Sequence, residues 1–237
     1  MEAREPVVDD RPEDFVEDRG GARWRWLVFP LALLAFVAGF ALAPLTPFGD
    51  RVPDEGSVEA GFARDMRAHH DQAVAMSLIA YRSAATPQVR ALAQDVLITQ
   101  QSQAGAMGGW LADWGLPAQG PTPRMAWMTG GHEGGHAGDE HELRPDGRMP
   151  GMASADQLQA LRDARGEDVD RLYLSLLITH HRGALPMAQE AVERSDRPVV
   201  VALARSIYDS QSAELEVLRT DLLALGGEVP PDSATTA

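Results

Sequence analysis

Two neighbouring histidines, His69 and His70, sit in the stretch DMRAHHDQAVAM, with Met66 ahead of them and Met76 behind. The same spelling returns in LLITHHRGALPM, which carries His180, His181 and Met187. Imidazole combined with thioether, without thiolate, is a soft to borderline donor set that suits copper, above all Cu(I) over Cu(II), and by extension Ag(I). Calcium or magnesium would ask for carboxylate oxygens instead. A di-iron bundle needs Glu-x-x-His motifs, and neither histidine pair has a glutamate three residues before it, which disfavours iron oxidation. Histidine pairs also serve as pH switches or as hydrogen-bonded core groups, and that reading stands beside the metal one.

These residues must be positioned by helices. Ser57 can cap a helix running to about Ala84, with Phe62, Met66, His69, Ala73 and Met76 on one stripe at steps of three and four. Thr86 and Pro87 read as a cap and first-turn proline of a second helix that Gly115 ends. Ser154 and Gln157 have capping-box spacing for a short helix closed by Gly166. A long helix is expected from Asp168 to about Arg194, and another from Pro198 to Leu225, stopped by Gly226. No period-two strand pattern occurs.

The two hairpins superimpose. Adding 111 to any number from Phe62 to Gly115 gives its counterpart without a gap, with 13 identities over 54 positions. His69 meets His180, His70 meets His181, Ala73 meets Ala184 and Met76 meets Met187. Pro87 meets Pro198, Gln100 meets Gln211 and Gly115 meets Gly226. A duplicated hairpin explains this pattern, and two amphipathic hairpins bury their apolar faces together as a four-helix bundle. The overlay also reads each position twice. Met66 faces Leu177, so packing alone satisfies that site, whereas His-His-x-x-Ala-x-x-Met stands in both copies although leucine would pack there at less cost than imidazole.

Composition limits the alternatives. The 237-residue chain has a net charge of -14 and no cysteine. Acidity argues against nucleic acid, which needs a basic face; the lack of cysteine excludes disulfides, thiolate zinc sites, iron-sulfur clusters and thiol nucleophiles. Residues Trp26 to Leu45 form a 20-residue uncharged run, long enough to cross a hydrocarbon core of roughly 30 Å. We expect a single-pass anchor at 26–45. A cleaved signal peptide, with Ala41-Leu42-Ala43 as its cleavage site, is the alternative. Arg19, Arg23 and Arg25 before the span place the N-terminus in the cytoplasm and the rest outside the cell membrane. Ala35, Gly39 and Ala43 form a small-residue stripe that could pair two anchors into a homodimer. The expected organisation is a disordered cytoplasmic tail (1–25), the anchor, a linker (46–56), the bundle (57–226) and a tail (227–237). Within the bundle, hairpins at 57–115 and 167–226 flank a loop and short helix at 116–166.

That loop is rich in Gly, Met and His. His132, His136 and His141, with Met125, Met128, Met149 and Met152, offer flexible ligands on a solvent-exposed strip, a composition that could gather metal or serve only as a connector. Met149 and Met152 in RMPGM lie near a helix start, from which they could fold back on the bundle.

The doubled His-His motif, RMPGMAS leading into a short helix, and Gln100 with Gln211 resemble the bacterial domain of unknown function 305 family. That family is a ferritin-like four-helix group that includes periplasmic copper-binding proteins. The resemblance spans roughly residues 57 to 226. It implies His69, His70, Met76, His180, His181 and Met187 as metal ligands, with Met149 and Met152 as helpers. The family pattern often places Met three residues before each histidine pair; Met66 keeps it and Leu177 does not, which implies two unequal sites. The resulting expectation is an all-α, membrane-anchored protein that binds copper or silver and sequesters or relays it. A helical interaction scaffold with structural histidines is the alternative, and an oxidase acting on bound copper ranks behind both.

Overall fold

A computed structural model describes residues 52–128 and 143–231. The expected tail (1–25), the anchor (26–45) and the loop histidines His132, His136 and His141 lie outside the described residues. Among the described residues, no helix is long and apolar enough to cross a membrane.

Five α-helices and no strand occur among the described residues: α1 (Val58–Ser83), α2 (Pro87–Asp113), α3 (Ala155–Asp163), α4 (Glu167–Arg194) and α5 (Pro198–Ala224). All but one of the expected stop and start signals act as written. Ser57 Oγ accepts from Ala60 N at 3.2 Å, Thr86 Oγ1 accepts from Val89 N, and Ser154 with Gln157 closes a reciprocal capping box. Pro87 and Pro198 occupy first-turn positions, where their missing N–H groups leave no intrahelical bond unmade. Gly115 and Gly226 adopt φ of +67° and +71°, the left-handed conformation that ends a helix without a Cβ penalty. Gly166 departs from expectation. The short helix stops at Asp163, and Gly166, at φ +60°, is instead the N-cap of α4, where Glu167, Asp168 and Asp170 complement the helix dipole.

Helix α1 packs on α2, α4 packs on α5, and the hairpins meet through α1 and α4. Reciprocal contacts bind each hairpin's turn to the other hairpin. The Asp170 carboxylate accepts from Ala85 N at 2.8 Å and Thr86 N at 2.9 Å, in the α1–α2 turn. The same offset carried three residues ahead of Phe62 pairs Asp170 with Glu59, which accepts from Ser195 Oγ at 2.8 Å, in the α4–α5 turn. The duplication read from the sequence is therefore also a repeat of tertiary contacts.

All four long helices contribute to two apolar clusters. One contains Met76 and Ala80 of α1, Val89 and Val96 of α2, Tyr173 and Leu177 of α4, and Leu215 and Leu218 of α5. The other contains Phe62 and Met66, Met107 and Leu111, Met187 and Ala191, and Val200 and Ile207, in the same helix order. Membership runs late on α1 with early on α4, and the reverse, as antiparallel packing of those two helices requires.

Candidate metal centre

A polar layer occupies the stretch of each helix between the two apolar clusters. It consists of His69 and His70 on α1, Gln100 and Gln103 on α2, His180 and His181 on α4, and Gln211 and Glu214 on α5. The four histidines are 0 % exposed, and Gln100 and Gln211 are 2 % exposed. Polar groups so deeply buried are expected to be hydrogen-bonded.

Each imidazole is held through Nε2. His69 Nε2 donates to Pro150 O at 3.0 Å, and His180 Nε2 donates to His69 O at 3.0 Å. His70 Nε2 donates to Gln103 Oε1 at 2.8 Å, and His181 Nε2 donates to Glu214 Oε2 at 2.6 Å. The rings of His69 and His180 lie 3.8 Å apart, centroid to centroid, inclined at 39°. Burial drives the His69 pKa from 6.5 down to about 3, the Pro150 bond opposing it, and drives His70 to about 4 against the Gln103 bond. Burial, reinforced by the neighbouring histidines, also holds His180 well below its ordinary value. These three imidazoles are neutral at physiological pH, and a proton on Nε2 puts the lone pair on Nδ1.

Nδ1 of His69, His180 and His181 has no hydrogen-bond partner, His70 is also approached by the Met66 backbone one turn back, and neither amide atom of Gln100 or Gln211 has a partner. An N–H anchored on a carbonyl or carboxylate, with the second nitrogen left over, is the arrangement typical of metal-ligating histidine. The donors therefore fit a borderline or soft ion. Among the described residues no group of three or more His, Asp or Glu side chains is arranged to hold a metal. The thioethers of Met66, Met149 and Met187 belong to the apolar cluster on one side of the histidine layer, and that of Met76 to the cluster on the other.

The methionines are distributed unequally. Met66, Met107, Met149 and Met187 share one apolar cluster, and Met152 packs partly buried against it. Met76 sits in the opposite cluster, beside Leu177 and away from Met187. Antiparallel packing of α1 against α4 separates residues that occupy the same offset in the two repeats. Met187 therefore shares its cluster with Met66 rather than with Met76. Met125 and Met128 correct the expectation of solvent-exposed ligands: both are buried, in and beside a 3-10 turn at Ala126–Met128. The buried Asp65 carboxylate fixes that turn, accepting from Met125 N at 2.8 Å and Trp127 Nε1 at 2.9 Å.

The RMPGM segment folds back on the bundle, as its position near α3 suggests. Arg148 ties it by donating to the Asp146 carboxylate and the Met152 carbonyl. Met149 is fully buried. Two positions equivalent in the overlay seat the segment by different means. The Gln72 amide accepts from Ala153 N at 2.7 Å and donates to Ala153 O at 3.1 Å. Its counterpart, Gly183, lets backbone meet backbone: a Cβ there would collide with the Pro150 carbonyl and stand 2.7 Å from Gly151 Cα. Gly151, at φ +79°, is confined likewise, since its Cβ would lie 2.6 Å from Thr179 O. This close approach delivers Pro150 O to His69.

Gln103, Glu214, Gln72 and Gly183 did not stand out in the sequence. The overlay held a signal for the first two. Gln103 and Glu214 are counterparts of nearly equal shape, each 33 residues beyond the second histidine of its pair.

The fold and these residues can be set against known proteins. A putative secreted protein of the same domain type from Streptomyces coelicolor is 36 % identical, with a TM-score of 0.66, over 75 % of this chain and 99 % of that one. A fragment from Deinococcus radiodurans is 29 % identical, with a TM-score of 0.56, over 71 % and 95 %. CopM, solved in a Cu(II)-bound form, is 24 % identical, with a TM-score of 0.53, over 71 % and 97 %, a likeness of fold. No curated protein matches the chain. The family model described as Domain of unknown function (DUF305) matches residues 59–222, which takes in nearly all of both hairpins, and the chain belongs to that family.

Proposed function

We propose that this protein binds copper, as Cu(I) in preference to Cu(II), together with Ag(I), and sequesters or relays the ion in copper homeostasis or tolerance. The observation that carries the reading is the set of four buried histidines. Each Nε2 is tied to a protein oxygen, and Nδ1 of His69, His180 and His181 is left without a partner. The donors in this reading are Nδ1 of His69, His70, His180 and His181, with thioethers from Met66, Met149 and Met187 on one side and Met76 on the other. Met152 serves at the rim. CopM supports the choice of ion, since its structures include Cu(II)-, Cu(I)- and Ag-bound forms. In this proposal the protein is not an enzyme. The run at 26–45 anchors it in the cell membrane with the bundle outside, where a thioether site resists the oxidation that would compromise cysteine.

Anaerobic titration of the purified full chain with Cu(I) against a competing chelator tests the reading. Tight uptake is expected, with a sharp loss in the His69→Ala, His70→Ala, His180→Ala, His181→Ala variant; equal competition by parent and variant would refute it. The scaffold reading draws on the lack of a three-residue His, Asp or Glu cage among the described residues. It predicts a membrane partner recovered by crosslinking whether or not copper is supplied.

A further inference from the structure

The overlay provides an internal control at the two residues that hold the second histidine of each pair. Gln103 and Glu214 are counterparts with the same reach, and each accepts from an Nε2, at 2.8 and 2.6 Å. They differ in one respect, an amide NH2 replaced by a carboxylate oxygen. Every other group bonded to the four histidines is a neutral carbonyl. The remaining buried carboxylates are engaged elsewhere. Asp65 holds Met125 and Trp127, Asp170 caps the α1–α2 turn, and Glu190 pairs with Arg194 at 2.7 Å. Among the described residues, Glu214 is thus the one carboxylate in hydrogen-bond contact with the histidine set.

A cation entering this buried layer of imidazoles and amides is brought into a region of low dielectric, which is unfavourable unless an opposite charge lies close. A carboxylate accepting the far N–H of a ligating imidazole supplies that charge and raises the basicity of the ligating nitrogen. Glu214 can do both without being fully desolvated. Its side chain keeps 28 % exposure while the histidine it touches has none. Gln103 orients His70 in the same way but contributes no charge.

We propose, building on the copper reading above, that Glu214 is the charge-compensating positioning residue of the centre. It makes the His181 half the tighter one and leaves the His70 half, backed by Gln103, the weaker. One negative charge matches one monovalent soft ion, so the first Cu(I) or Ag(I) is held at the His181 half. This inequality on α2 and α5 runs against the Met66/Leu177 difference on α1 and α4, which by itself favours the His70 half.

The test uses the full chain and anaerobic Cu(I), with Ag(I) as a redox-inert second probe, in competition with a chelator. Glu214→Gln, which keeps size and one acceptor oxygen, is expected to weaken the first binding event by about 10–100-fold. The exchange variant Glu214→Gln with Gln103→Glu moves the carboxylate to the other half and is expected to recover affinity to within about tenfold of the parent. A purely structural Glu214 would not be rescued from another helix. Gln103→Glu alone is expected to tighten the second binding event. Unchanged first-ion affinity in Glu214→Gln, or no recovery in the exchange variant, overturns the proposal while leaving the copper reading intact. A parent chain that takes up neither ion overturns both.

Discussion

Acid should unfold the metal-free protein through its histidines, and the size of the effect follows from their burial. In an unfolded chain each imidazole titrates near 6.5. In the fold, His69 is pushed to about 3, His70 to about 4 and His180 well below 6.5, burial being the first cause in each case. Below pH 6.5 the unfolded state therefore binds more protons than the folded state, so stability is lost as pH falls and is fully retained above that value. At pH 5 His69 and His70 each cost about 2 kcal/mol, since 1.5 units correspond to that energy at about 1.36 kcal/mol per unit. The two together cost about 4 kcal/mol, and His180 adds to the loss in the same direction, against a whole stability of about 5–15 kcal/mol for a typical domain. For a domain of this size the melting temperature should drop on the order of 15 °C between pH 7.5 and 5.0. The assay is thermal unfolding by circular dichroism across that range, on chelator-treated protein. His69→Leu with His180→Leu should shrink the drop to the share left to His70. A melting temperature that is flat across the range, or an equal drop in the double variant, would refute the reasoning.

Three further outcomes follow from individual contacts. Gly183→Ala should push RMPGM off α4, because the new Cβ collides with the Pro150 carbonyl; a loss of about 1–3 kcal/mol in chemical unfolding and faster tryptic cleavage at Arg148 are expected. Gln100→Leu with Gln211→Leu should raise the melting temperature of the metal-free protein, since each unpartnered buried polar group costs about 1–3 kcal/mol; a fall would show that both amides are satisfied in solution. Asp170→Ala should cost about 1.5–3 kcal/mol by removing the carboxylate that caps two N–H groups of the α1–α2 turn. Denaturant titration measures it, and a change within error would remove Asp170 from the contacts that join the hairpins.

Much of the fold was legible because its signals are local. Ser57, Thr86, Ser154, Pro87 and Pro198 each act within one turn of where they stand, and the offset of 111 exposed the duplication without reference to contacts. Gly166 was misread because a glycine between two helices can end one or begin the next, and chain order does not distinguish these roles. Met125 and Met128 read as exposed because their burial depends on the distant Asp65 carboxylate rather than on any periodicity of their own.

By itself, the sequence determined the helices, most of their ends, the repeat and the four histidines, because capping, periodicity and duplication are written in neighbouring residues and constant offsets. Tertiary structure alone decided how those parts share space. Antiparallel packing of α1 and α4 put Met187 in the cluster of Met66 and left Met76 in the other. Close backbone approach at Gly183 brought Pro150 to His69, and helix pairing set Gln103 and Glu214 behind the second histidine of each pair. Such placements depend on segments far apart in the chain meeting at a few ångströms, a condition that no local pattern encodes.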